Sequence, residues 1–489
     1  PTLQRPTEAG GLAATNTQVQ WLVDAYGLVF AGLLFTAAAL GDRFGRKGAL
    51  QAGLAIFLTG SVLGAFADST GVLTLSRAIM GVGAAFVMPS TLSILSNVFP
   101  TGERAKAIAI WAGISGAGAA IGPVTSGLLL EHFWWGSVFL INVPIITVAL
   151  IAGHVLIPKS KDSQETPLDP VGALLSIIGL SALVYAIIEG PHHGWVSVES
   201  LVWFAGAAVA LVLFGVWEWH NRHPMLELRL FQNPRFAVSS GGITIVFFAM
   251  FGMFFLLTQY LQGVLDYSPL GAALRLLPIS AVMMFVAPQT PKLVRRFGAD
   301  RVGAAGLTSV ALGMVGIAFF QTDTSYLQLV LTMCVLSAGM ALTMTPMTTQ
   351  LMASVPRDRA GMGSATNDTT RELGGALGVA VLGSLLTSQY SAGMSSALAQ
   401  IPEQAREVAE GSLGGMHGLI ARGVLPADTP LLEVAKGAFV DGLTVAATVG
   451  AVVVALAAIA VKRFLPDDRT DPMTTGDNRE PESQSVAGR

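Results

Sequence analysis

Long stretches without a charged side chain recur throughout this chain and leave it few ways to fold. Residues 25–40 and 49–67 contain no Asp, Glu, Lys or Arg. Each approaches the ~20 residues that an α-helix needs to cross ~30 Å of hydrocarbon. Similar stretches fall at roughly 20–40, 49–67, 72–96, 107–130, 137–157, 171–190, 201–219, 237–260, 271–290, 303–321, 326–349, 362–388 and 440–461, which predicts thirteen spans. A transmembrane β-barrel is excluded, because its strands alternate polar and apolar residues over about ten positions. Composition agrees: 12% of the residues are charged, against about a quarter in soluble domains. The expected class is all-α and polytopic.

Between the first two stretches lies a tight polar loop, Gly41-Asp42-Arg43-Phe44-Gly45-Arg46-Lys47. Asp42 and Arg46 are four apart, so one helical turn pairs them. The glycines let the backbone turn closely and let helices approach. Arg43, Arg46 and Lys47 place this loop on the cytoplasmic side, where short loops collect cations. The other loops follow the same alternation. Those predicted inside carry 21 lysines and arginines and those predicted outside carry four, Arg5, Arg406, Arg422 and Lys436. The described start then reads as outside and the tail as inside. A chain does not readily begin outside, so a further helix upstream is expected, for fourteen spans in all.

The expected organisation is an N-terminal bundle at 1–157 lacking its first helix, two extra helices at 158–236, a C-terminal bundle at 237–466, and a disordered cytoplasmic tail at 467–489. That makes two six-helix bundles plus two extra helices. The C-terminal bundle includes an outer loop at 389–437, for which two readings stand. One is a small hairpin with helices at Ile401–Ala409 and Leu431–Val440; the other is a mobile linker. A second basic loop, Pro291-Lys292-Leu293-Val294-Arg295-Arg296-Phe297-Gly298, echoes the first and suggests an internal repeat, common in secondary transporters. The single cysteine, Cys334, excludes an internal disulfide.

Three motifs stand in order. The first is the loop with its flanks: Leu40, Asp42, Arg43, Gly45, Arg46, Lys47 and Leu50. The second is Leu73-x-x-x-Arg77-x-x-x-Gly81-x-Gly83-Ala84-Ala85. The third is Gly118-x-x-x-Gly122-Pro123-x-x-x-Gly127, whose glycines permit close helix packing and whose proline removes a backbone hydrogen bond. Together they resemble signatures of the major facilitator superfamily, with Ala38, Met80, Ala109 and Ser126 departing from its pattern. Phe139-Leu140-Ile141-Asn142-Val143-Pro144, Leu228-x-Leu230-Phe231, Tyr267-Ser268-Pro269-Leu270 and Leu276-Leu277-Pro278 are similar to its fourteen-helix drug:proton antiporter branch. Trp21-Leu22-Val23-Asp24-x-Tyr26 and the outer loop are similar to quaternary-ammonium efflux pumps. The resemblance implies that the first loop is a conformational latch and that the third motif marks an antiporter.

A carboxylate in a span is costly unless paired, which suits it to carry protons. Asp24 lies about seventeen residues before Asp42, at a depth similar to that of Arg77, and the two are expected to communicate. Alternatively, Asp24 is a helix-start acid and Arg77 reaches to the outer interface. Asp368 and Glu372 are four apart on one helix face, with Arg371 beside them to pair with Asp368. The resembled pumps carry acids at these two places, whereas a third family acid is Asn367 here and a fourth is Met283. Tyr26, Phe30, Trp111, Phe254, Phe255 and Tyr260 are aromatic candidates for contact with greasy cations.

The expected function is a proton-coupled secondary exporter of hydrophobic, cationic drugs or antiseptics. It is expected as a multi-pass monomer in the bacterial plasma membrane, with protons, small compounds and membrane lipid as partners. No cofactor, metal, catalytic residue or nucleic acid is expected. A dedicated exporter of a single antibiotic or metabolite is the alternative. An intramembrane enzyme is disfavoured, since neither His-Glu-x-x-His nor Gly-x-Ser-x-Gly occurs, and without a Gly-x-x-x-x-Gly-Lys-Ser/Thr loop ATP is not the expected energy source.

Overall fold

A computed structural model describes residues 12, 16–158, 169–222, 224–356, 359–395, 397–398, 401, 403–421, 423–426 and 429–466. Among them there is no strand. The helices are α1 (Asn16–Phe44), α2 (Arg46–Ala65), α3 (Thr70–Val98), α4 (Thr101–His132), α5 (Ser137–Leu140), α6 (Asn142–Leu156), α7 (Pro170–His193), α8 (Val198–His220), α9 (Pro234–Gln259), α10 (Pro269–Val286), α11 (Thr290–Phe297), α12 (Ala299–Ile317), α13 (Tyr326–Ala353), α14 (Ala360–Met394), α15 (Glu403–Gly411), α16 (Leu413–Ala421) and α17 (Leu431–Phe464). Eleven of these rods, some made of consecutive helices, are long and apolar enough to cross a membrane. Two further helices, α4 and α12, coincide with the stretches expected at 107–130 and 303–321.

Helix starts follow local chemistry. Ser69, Ser197, Ser268 and Ser325 each accept a hydrogen bond from the backbone three residues on, which satisfies a donor the helix cannot pair itself. Asp169 accepts from Gly172 N–H and Asn233 from Arg235 N–H, ahead of Pro170 and Pro234, whose missing N–H costs nothing at a first helical position.

The packing separates into neighbourhoods. Helices α1, α2 and α3 pack together, with α6 against α2. Helices α9, α12, α13, α14 and α17 form a second group, to which α10 joins through α13. The two groups meet where α1 and α3 touch α14, and α4 packs on α10 and α13 and touches α3 more lightly. Helix α7 pairs with α8 and also packs against both α1 and α14, so it lies along the seam. There Ser181 donates to the Leu28 carbonyl (3.2 Å) and, beyond the end of α7, Trp195 Nε1 donates to Ser384 Oγ (3.1 Å). Helices α2 and α3 approach closely at Gly53 and Gly83, where a Cβ built on Gly83 would stand 2.7 Å from the Gly53 carbonyl; a larger residue at either position would push α2 off α3.

The outer segment contains a helical hairpin whose first helix, α15, falls on the expected 401–409. Its second helix is α16, and residues 431–440 instead begin the last long helix, α17, which runs unbroken to Phe464. Tyr390 donates to the Ala409 carbonyl (3.0 Å) and Ser391 to Glu410 (2.8 Å), which fixes α15 to α14. Lys436 pairs with Asp266 at 2.6 Å. The proposed tail, 467–489, and the segment 1–11 lie outside the described residues.

Candidate coupling site and cytoplasmic latch

The first basic loop forms where α1 hands over to α2. Gly45 has φ +118°, a conformation that strains any residue with a Cβ, and it lets the chain turn within one residue. The expected Asp42–Arg46 pair is present at 2.7 Å, with the Arg46 side chain 2% exposed. Arg46 thereby aims the Asp42 carboxylate at the other group of helices. There Asp42 Oδ2 accepts the Gly361 N–H at 2.9 Å. Gly361 is in the first turn of α14, whose own preceding residue, Arg359, supplies no side-chain cap. A carboxylate from one helical group therefore caps a helix of the other, satisfying an orphan donor and matching the positive end of the helix dipole. A Cβ on Gly361 would collide with that carboxylate. Lys47 anchors the same loop on the His154 carbonyl (2.6 Å), while Arg43 lies over the Phe44 ring (5.3 Å). Leu40 completes the last full turn of α1 before the loop.

Along α14, two turns further in, Asp368 is 2% exposed. Its Oδ1 accepts from Asn367 Nδ2 (3.2 Å) and faces Arg371 Nη1 at 3.5 Å. Its Oδ2 is buried with no hydrogen-bond partner. Asn367, at the place of a family acid, also accepts from Thr348 (3.2 Å), which ties α13 to the cluster. Arg371 spreads its guanidinium over Trp111 of α4 (5.1 Å) and Phe247 of α9 (4.6 Å). Glu372 turns toward α1, where a Cβ on Gly27 would lie 3.8 Å from its Oε1. The three charged residues thus sit where both helical groups and α1 converge.

On α3, Arg77 Nε donates to the Leu22 carbonyl (2.9 Å), and its guanidinium lies 4.5 Å from the Tyr26 ring. Arg77 is therefore docked on the turn of α1 that bears Asp24. The side chain of Asp24 lies outside the described residues, as does that of Pro123. Tyr26 in turn stacks on Phe30 at 5.9 Å.

The third motif divides. Gly127 approaches Leu270 of α10, at 3.4 Å from a built Cβ, whereas Gly118 and Gly122 face open space within 4 Å. The close contact of α4 is made at Gly127 and at Gly113, the latter beside Met283, Met284 and Ala287, and not along the central glycines. Of the aromatic candidates, Trp111 and Tyr26 lie under arginines, Tyr260 is buried with its hydroxyl on the Gln321 carbonyl (2.5 Å), and Phe255 is exposed. Sequence reasoning missed Arg275, which lies 3.7 Å from the Tyr267 ring. The signal was available: Arg77, Arg275 and Arg371 are the cations left after the loops are counted, and each rests on an aromatic face.

Two helical groups meeting along a seam that buries charged residues, latched on one side by a carboxylate, define a polytopic membrane transporter. The chain belongs to the Major Facilitator Superfamily, whose family description matches residues 5–379. It is 36% identical over 457 residues to the multidrug efflux pump LfrA of Mycolicibacterium smegmatis, covering 93% of this chain and 90% of LfrA. It is likewise 36% identical to the multidrug resistance protein Stp of Mycobacterium tuberculosis, covering 96% of this chain and 88% of Stp. The fold is similar to that of the human organic anion transporter MFSD10, with a TM-score of 0.59 over 90% of this chain and 83% of that one at 12% identity. The protein is a multi-pass bacterial membrane protein.

Proposed function

We propose that the protein is a proton-coupled efflux pump for hydrophobic cations, acting as a monomer that moves its cargo without converting it chemically. The observation that carries this reading is the buried Asp368 carboxylate, one oxygen of which lacks a partner at the meeting point of the two helical groups. Such an oxygen is stabilised by a proton or by a cation. The two occupants exclude each other, so binding of one favours release of the other, and that reciprocity is what antiport needs. Relatives named as multidrug efflux and resistance proteins support the cargo class. Asp24 and Arg77 at the outer part of α1 and α3 are assigned to proton entry, and Asp368 and Glu372 to exchange. The two groups rock about the seam, and the Asp42 cap releases when the cytoplasmic side opens.

The test is ethidium transport by the purified protein in sealed liposomes with an imposed pH gradient. Uptake should follow the gradient, collapse with a protonophore, and be abolished by Asp24→Asn without loss of insertion. Transport indifferent to the gradient overturns the mechanism, and transport confined to one compound favours the dedicated exporter.

A further inference from the structure

Arg371 occupies an unusual position for a structural arginine. Its partner oxygen, Asp368 Oδ1, is distant at 3.5 Å, while its guanidinium rests on two aromatic faces. Those faces come from two different helices, Trp111 from α4 and Phe247 from α9. Meanwhile Asp368 Oδ2 has no hydrogen-bond partner among the described residues. A cation held between rings beside an unsatisfied carboxylate is the arrangement that selects quaternary and delocalised cations.

We infer that Trp111 and Phe247 form the seat for the charged head of a monovalent lipophilic cation, and that Arg371 is a resident pseudo-cargo which the incoming cation displaces. The inference rests on the efflux reading above and names the cargo's binding place. Displaced from the rings, Arg371 stays within reach of Asp368, one turn away on its own helix, and is adjacent in sequence to Glu372. Charge counting then sets the exchange. With both carboxylates ionised, Asp368, Arg371 and Glu372 carry a net charge of −1. One proton or one monovalent cation brings the trio to zero; both together leave it positive in a site largely withdrawn from water, which is costly. A dication leaves the trio positive even with both acids ionised. The trio's immediate partners carry no charge, since Asn367 and Thr348 are neutral and Tyr26 on α1 is a phenol; Arg77 keeps its charge but is docked on the Leu22 carbonyl and the Tyr26 ring, so its contribution is the same whichever occupant the trio holds.

The experiment is calorimetric titration of the purified full chain with tetraphenylphosphonium and with uncharged triphenylphosphine oxide, without any gradient. Trp111→Leu and Phe247→Leu should each weaken the phosphonium about tenfold and the neutral compound less than about threefold. Equal losses for both compounds would reduce the rings to packing and overturn the seat. Arg371→Ala should tighten phosphonium binding about tenfold by removing the competitor, and Arg371→Met, which keeps the length of the side chain, should do the same if the alanine variant does not fold. Unchanged or weakened binding in whichever variant folds overturns the pseudo-cargo. Repeating the titration in buffers of different ionisation enthalpy should show about one proton released per phosphonium bound, and release that persists in a doubly neutralised Asp368→Asn/Glu372→Gln chain overturns the count. The monocation 1-methyl-4-phenylpyridinium should bind at least about tenfold tighter than methyl viologen, and the reverse order also overturns the count. If every binding result holds while liposome transport ignores the pH gradient, the efflux reading fails and the seat stands.

Discussion

The two basic loops of this protein use the same turn for different ends. In the first, Gly45 at φ +118° precedes α2; in the second, Gly298 at φ +92° precedes α12. Both loops carry cations, and both place a carboxylate beside the turn. Asp42, before its glycine, is aimed by Arg46 across the seam onto the Gly361 N–H. Asp300, after its glycine, is 3% exposed and pairs with Lys462 of α17, inside its own helical group. One carboxylate therefore joins the two helical groups, and the other joins two helices of a single group. A cap of this kind is worth about 0.5–2 kcal/mol, enough to shift an equilibrium between joined and separated groups by roughly 2- to 30-fold.

That contrast can be broken most sharply by removing each carboxylate. Asp42→Asn, which leaves an amide oxygen for the buried Arg46, should lower transport per inserted molecule by more than about tenfold with little change in unfolding temperature, whereas Asp300→Ala should lower the unfolding temperature first, since it removes the Lys462 ion pair and leaves a void at a buried site. Transport in everted vesicles and thermal unfolding in detergent read the two effects separately. If both variants fail in the same assay, the division of labour is wrong. A smaller effect comes from the backbone. Gly361→Ala pushes a methyl into the Asp42 carboxylate and should cut transport several-fold, while Gly298→Ala should cost about 1–2 kcal/mol of stability because a side chain is strained at its φ. Spin labels on the inner ends of α1 and α14 should show Gly361→Ala widening the cytoplasmic distance and Gly298→Ala leaving it alone. The smallest effect is expected at the lysines. Lys47→Ala loses a bond to the His154 carbonyl and Lys292→Ala only a surface charge, so unfolding temperatures should rank the first below the second by a margin within about 0.5–1 kcal/mol.

Much of this was legible in the chain itself, and the reasons are local. Charge-free stretches set the helices, and a spacing of four set the Asp42–Arg46 pair, because both are properties of neighbouring residues. What Asp42 reaches was not legible: a backbone N–H at Gly361 has no signature of its own, and only the folded seam brings the two together. The same holds for Arg371, whose aromatic partners come from α4 and α9. The pairing with Asp368 was readable from the spacing, and the rings were not. The central glycines of the third motif suggested close packing by their spacing, yet Gly118 and Gly122 face open space, since spacing fixes a helix face but not what stands opposite it. The join between the helix expected at 431–440 and the last span was missed because Glu433 and Lys436 interrupt the apolar run; Lys436 is in fact paired with Asp266, which lets a charged residue continue the helix.

Helix α7 touches α1 and α14 at once. Any swing of one body against the other must therefore slide along this shared rail, through contacts as light as the Ser181 hydroxyl on the Leu28 carbonyl. On that flank the seam is bordered by a third helix as well as by the two bodies themselves.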